Sequence, residues 1–257
     1  MQKAILYYLL LIAEFIVTIF VGGFALGIYI AYTGNVKQFG DPTNSIRTEF
    51  YPLIVAFYIL CMLIIWFTFY KAKFSKLTWG NIEPANRMKT AFNAVIPILG
   101  FTMLYYYAIH FFDITLSTDE TEALGYFRSV PFLFVGSFLC GYVFFGAILE
   151  ELIQSGKKPW VSFVTLFVMM AIISVFTYYK EGTATCIVFL VDTAIRLAYG
   201  IWIYGKTRST ILLILVYFLT NLVPLELHFE IAYIFMGCVG ASFLTSGIIN
   251  IRKQLGK

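Results

Sequence analysis

Long apolar segments recur eight times along this 257-residue chain, at 4–32, 50–70, 90–112, 129–150, 160–179, 184–205, 210–225 and 231–250. A bilayer core takes roughly 20 apolar residues per crossing helix, so the chain has room for about eight crossings and little else. The predicted fold is all-α: an integral membrane bundle of about eight transmembrane helices, forming a single domain over 1–257. Hydrophobic residues make up 60% of the chain and charged residues 12%, far from the balance of a water-soluble domain. The loops leave no room for a soluble domain of useful size.

The loops also orient the bundle. The N-terminus, alternate loops and the tail hold thirteen cations, among them Lys3, Lys71, Arg87, Lys89, Lys157, Lys158, Lys206, Arg208, Arg252 and Lys253. The opposite loops hold four, Lys37, Arg47, Arg128 and Lys180, and collect the acids Asp113, Asp119, Glu120, Glu122, Glu226 and Glu230. Cytoplasmic loops carry the excess of Lys and Arg, so both termini are expected in the cytoplasm. This sidedness accounts for the net charge of +4, and nucleic acid is not needed as a partner. The first apolar stretch is too long for a signal-peptide core and is expected to stay as a helix. The basic loop 71–89, with Trp79 and Pro84, is expected to lie as a surface segment at the inner headgroups.

Polar groups inside apolar helices carry the functional argument. Glu14 lies in the first segment, and Asp192 and Arg196 in the sixth, four apart and so on one helix face. A charge at the bilayer centre costs on the order of 3 kcal/mol on insertion scales and usually faces a partner or a cavity. Glu14 and Arg196 count to similar depth, so a Glu14–Arg196–Asp192 cluster is expected, fixing helix packing or lining a polar cavity. Gly23 with Gly27, and Gly237 with Ala241, have the small-residue spacing of close helix contacts.

Enzyme signatures are sparse. Cys61, Cys140, Cys186 and Cys238 each lie in an apolar segment without a CxxC pair, and read as buried inert thiols. His110 and His228 fall near the outer ends of their helices. No metal site, haem or other cofactor is expected from that placement. HExxH, a Gly-rich phosphate loop and GxSxG are absent.

Two stretches resemble a known family. Gly200-Ile-Trp-Ile-Tyr-Gly-Lys-Thr-Arg-Ser-Thr210 is followed by a helix carrying Tyr217 and Asn221, four apart. This is similar to a motif region of the CPBP family, the CAAX-protease and bacteriocin-processing (Abi) membrane endopeptidases. There a basic Thr-x-Ser turn precedes a helix with His-xxx-Asn. Asn221 stands in the asparagine position, and Tyr217 replaces the histidine. The segment Cys140–Gly146 is similar to the family's first motif in its Phe and Gly positions. Cys140 and Gly141 stand where the paired glutamates belong, Phe145 where the arginine belongs, and Ser174 falls at or near a second histidine. A rival alignment uses Glu150 and Glu151 but puts Ser155 at the arginine. Those acids sit at a cytoplasmic helix end, away from the depth of Tyr217 and Asn221, and read as a solvated end facing Lys157 and Lys158. The resemblance covers about 90–225.

The family's chemistry uses water activated by glutamate and histidine, and a base must titrate near neutral pH to do so. Tyrosine, serine and cysteine at those positions are poor substitutes. The resemblance therefore implies a pseudoprotease in a bacterial plasma membrane. Its former active-site pocket, formed by Cys140, Gly141, Phe145, Ser174, Tyr217 and Asn221, would bind a partner membrane or cell-envelope protein, or lipid. The alternatives are a divergent peptidase, such as a bacteriocin self-immunity protein, and a transporter or permease subunit.

Overall fold

The computed structural model describes residues 2–33, 77–111, 133–134, 136–138, 140–178, 183–221 and 230–256. Of these residues 91% are helical, and there is no strand among them. The elements are α1 (Gln2–Thr33), a 3₁₀ turn (Pro84–Asn86) and α2 (Arg87–Phe111). A π helix (Cys140–Leu149) follows and runs into α3 (Glu150–Gln154). The rest are α4 (Pro159–Tyr178), α5 (Thr183–Thr207), α6 (Thr210–Asn221) and α7 (Glu230–Leu255). Seven of the eight apolar segments overlap described helical residues, and the second, 50–70, lies outside the described residues. Among the described residues, three helices are long and apolar enough to cross a membrane: Pro84–Ile109, Gly136–Gln154 and Cys186–Thr207.

The outer helices expose apolar side chains at helical spacing. Trp160, Val164, Val168 and Ile172 form such a stripe on α4, and Ile187, Val191 and Ile195 another on α5. On α1, Ala4, Tyr8 and Leu11 face inward, whereas Phe20 and Phe24 are 74% and 72% exposed. Apolar stripes of this kind are consistent with helix faces turned toward lipid.

Packing is closest where glycines allow it. α7 runs antiparallel along α2, with Gly247 against Pro97, Gly240 against Gly100 and Gly237 against Tyr107. A Cβ on Gly100 would sit 2.4 Å from the Leu244 amide nitrogen, so the two backbones are in contact there. Asn93 donates to Gln254 at 2.7 Å and Gln254 donates to Thr90, tying the end of α7 to the start of α2. The small-residue face of α7 thus runs through Gly237, Gly240 and Gly247, and the expected Ala241 is exposed instead. Of the pair expected on α1, a Cβ on Gly27 meets no described atom within 4 Å, and Gly23 lies outside the described side chains.

The π helix is the central column. Every residue from Gly141 to Leu149 is buried, as befits an all-apolar helix surrounded by others. It packs against α1, α3, α4, α5 and α6. Its i→i+5 bonding brings residues five apart close to one face. Gly141 and Gly146 consequently both meet α6, at Ile214 and Thr210 respectively.

Loop 77–83, part of the expected surface segment 71–89, is docked on the bundle. Leu77 and Trp79 pack on the core, and the backbone bonds to the α5–α6 turn. The Asn81 amide donates to Thr207 O at 2.7 Å and the Ile211 amide to Thr78 O at 3.3 Å. Gly80, at φ +57°, makes this approach possible, because a Cβ would lie 2.1 Å from Thr207 O. Hydrogen bonding accounts for the docking: the loop backbone satisfies groups at the helix turn that would otherwise need another partner.

Candidate functional site

Arg196 is the hub of the interior. Its Nε donates to both Asp192 carboxylate oxygens, at 2.8 and 2.9 Å, one turn earlier on α5. Nη2 donates to Thr102 Oγ1 on α2 at 3.0 Å. Nη1 reaches Thr220 Oγ1 and Asn221 Oδ1 on α6, at 3.4 and 3.5 Å. The guanidinium side chain is 14% exposed and the carboxylate 17%. Arg196 presents five donors in a fixed plane, and here that fork joins three helices.

The threonines are prepared for this role. Thr102 Oγ1 donates to Ile98 O at 2.8 Å, and Thr220 Oγ1 donates to Val216 O at 2.8 Å. With each hydroxyl proton committed to its own helix, the remaining lone pairs face the guanidinium. The expected Asp192–Arg196 pair is therefore present. The expected third member, Glu14, has a side chain outside the described set; the other described groups that meet Arg196 come from α2 and α6.

Tyr217 and Phe145 occupy the space beside this hub. Tyr217 Oη donates to the Arg196 backbone carbonyl at 3.0 Å, and its ring centroid lies 5.8 Å from that of Phe145. Gly200 admits both rings. A Cβ there would lie 2.5 Å from Phe145 Cζ and 3.0 Å from Tyr217 Oη. Phe145 is fully buried and Tyr217 8% exposed. Cys140 is partly buried against the same core, within electrostatic range of Arg196 and Tyr217.

Five of the six pocket positions named from the sequence thus lie around α5 and α6: Cys140, Gly141, Phe145, Tyr217 and Asn221. The side chain of Ser174 lies outside the described set. The thiols are less buried than expected: Cys140 and Cys186 are partly exposed and Cys238 is exposed on α7. Cys61, His228 and the His110 side chain lie outside the description. Among the described residues, no three His, Cys, Asp or Glu side chains cluster as metal ligands.

A second polar cluster corrects the reading of Glu150. It is not a solvated end facing Lys157 and Lys158. Its Oε2 accepts from Arg208 Nη1 at 2.7 Å and from Tyr204 Oη at 2.9 Å, and its Oε1 accepts from Gln154 at 3.0 Å. Arg208 also lies over the Tyr204 ring, 5.7 Å from its centroid. The reason is the backbone of the α5–α6 turn. Arg208 adopts φ 53°, the left-handed conformation that usually closes a helix with glycine. Its amide donates to Tyr204 O at 2.8 Å, and the conformation aims the long side chain at Glu150. Ser209 then caps α6, its Oγ accepting from the Leu212 amide at 3.0 Å.

Chemically, the centre consists of a guanidinium, a carboxylate bonded through both oxygens, two hydroxyls already donating to carbonyls, an amide and a phenol. Such groups fix helices against one another. Sequence reasoning missed Thr102, Thr220 and Gly200. Threonines and glycines recur along these helices, and nothing local distinguishes the ones that meet Arg196. No family model, no curated protein and no solved structure matches the chain.

Proposed function

We propose that the chain is a multi-pass membrane bundle of about eight spans, both termini cytoplasmic, in a bacterial plasma membrane. We infer further that it works by binding and positioning another membrane or cell-envelope protein, as a degenerate CPBP-like pseudoprotease. The observation that carries this reading is the use of the central polar groups. Asp192, the carboxylate of the hub, has both oxygens on Arg196, and the Phe145 and Tyr217 rings fill the adjoining space. A general base must reach a reacting proton or a water, and a carboxylate whose two oxygens both share the Nε–H of an arginine one turn away is poorly placed to do so. The positions that would supply glutamate and histidine in the resembling family hold Cys140, Gly141 and Tyr217. Apolar stripes on α1, α4 and α5 offer the surface a partner helix would need.

The experiment is purification of the intact chain from its native membrane in mild detergent, with mass spectrometry of what accompanies it. A stoichiometric membrane or envelope protein is expected, and the purified chain is expected to leave membrane-protein and peptide substrates intact. Cleavage abolished by Glu150→Ala would overturn the reading in favour of a peptidase. Solute flux in proteoliposomes, lost in Asp192→Asn, would overturn it in favour of a transporter.

A further inference from the structure

The basic end of the bundle carries a feature the partner-binding reading does not use. Between the start of α2 and the ends of α5 and α7 lies a cleft of about 1030 Å³. Three cations from three helices line it: Lys89, Lys206 and Lys253. Among the described residues the carboxylate on its rim is Glu83, which accepts from Asn86 Nδ2 at 3.0 Å. Among the described residues the ion pairs are Arg196–Asp192 and Arg208–Glu150, so none of these lysines is neutralised by a described acid.

A second groove of about 430 Å³ adjoins the first and shares Lys206 and Leu255 with it. Its character changes along its length. Lys206 and Arg252 stand at the end of the bundle, and Trp202 and Ile248, each four residues further into the helix, form an apolar wall. Ile248 is 42% exposed on that wall. α7 packs along α2 and α5 packs on α4, which leaves this seam between α5 and α7.

Cations near a helix C-terminus commonly do no more than offset the backbone dipole. That explanation covers Lys206, Arg252 and Lys253 singly. It does not cover Lys89, which lies at the start of its helix, nor the apolar wall that continues from the cationic rim. A free phosphate needs the rim alone. A phospholipid needs both: cations for the phosphodiester and an apolar channel for the first stretch of acyl chain. Trp202 at the junction has the amphipathic ring that favours the headgroup level.

We propose that this seam is a binding site for one anionic phospholipid. Its phosphodiester sits among Lys206, Arg252 and Lys253, its headgroup extends toward Lys89, and an acyl chain lies along Trp202 and Ile248. Basic pockets between helices at a cytoplasmic surface suit such headgroups. The proposal rests on the membrane reading and is independent of the partner-binding one.

The test is native mass spectrometry of the full chain in mild detergent, titrated with phosphatidylglycerol, phosphatidylcholine or glycerol 3-phosphate. The expected result is one phosphatidylglycerol retained in preference to phosphatidylcholine, undisplaced by a large excess of glycerol 3-phosphate. The double variant Lys206→Gln, Arg252→Gln is expected to bind about twenty-five-fold more weakly, since each surface cation contributes roughly a fivefold factor. Lys206→Arg is expected to bind normally, which separates charge from folding. The control Lys157→Gln, Lys158→Gln removes two cations from the α3–α4 turn and is expected to leave binding unchanged. Equal retention of both lipids would overturn the proposal, as would unaltered binding in the double variant. An equal loss in the control would reduce the site to diffuse surface charge and also overturn it. Displacement by glycerol 3-phosphate would replace the lipid with a soluble phosphate ester and sink the assignment.

Discussion

Asp192 and Thr102 both bond to Arg196, yet they are not equivalent. An interhelical hydrogen bond inside a membrane contributes about 0.6 kcal/mol on average, whereas removing one partner of a buried ion pair costs about 3 kcal/mol. Asp192→Asn is therefore expected to lower thermal stability in detergent far more than Thr102→Val. The double change Asp192→Leu, Arg196→Met should recover most of the loss, because no charge is left uncompensated. Recovery of stability without recovery of partner binding would show that the pair does more than hold helices together. Arg208 offers a second comparison. Its left-handed backbone costs about 1 kcal/mol for any residue with a Cβ, and its partly exposed ion pair with Glu150 returns at most about 1 kcal/mol. Arg208→Gly should be close to neutral in thermal unfolding, and Arg208→Ala should fall about 1 kcal/mol below it. Of these residues, Asp192 and Arg196 were legible in the sequence because charge in an apolar helix is conspicuous. Thr102 and Gly200 were not, since their importance comes from what another helix places beside them.

At the level of elements, helix positions followed closely from hydrophobic runs. α5 was expected over 184–205 and is Thr183–Thr207; α4 was expected over 160–179 and is Pro159–Tyr178. Contacts between elements were less readable. The α7 face was placed on Gly237 and Ala241, but the antiparallel run against α2 uses Gly237, Gly240 and Gly247, because Pro97 and Gly100 set the register from the other helix. Gly240→Leu is expected to separate α2 from α7 at Gly100 and to reduce the yield of folded, monodisperse protein sharply. Ala241→Leu, on an exposed face, is expected to be tolerated. Size-exclusion profiles of the two variants check this directly. The docked loop 77–83 was equally hidden, since its anchors are backbone groups of the α5–α6 turn, and backbone bonding carries no composition signal.

At the scale of the molecule, cations gather at one end of the described bundle. Lys89, Lys206, Arg208, Arg252 and Lys253 lie at one end, where the start of α2 meets the ends of α5 and α7. A fluorescent reporter fused after Lys257 is expected to fold in the cytoplasm, and an exported-only reporter at the same position is expected to stay inactive. Between the ends stands the π helix, and its winding has a consequence for the whole chain. Gly141 and Gly146 are five apart, yet they serve two α6 residues only four apart, Thr210 and Ile214. The column therefore stores slack of one residue against its neighbour. Removing Val143 would shorten the glycine interval to four, the interval an ordinary α turn matches, and the two notches would still engage α6. A lost residue elsewhere in a buried helix rotates everything beyond it off its partners; here the looser coil can tighten and absorb the change. The Val143 deletion is expected to yield folded protein in detergent, while deletion of Leu197 in α5, which has no such reserve, is expected to yield none.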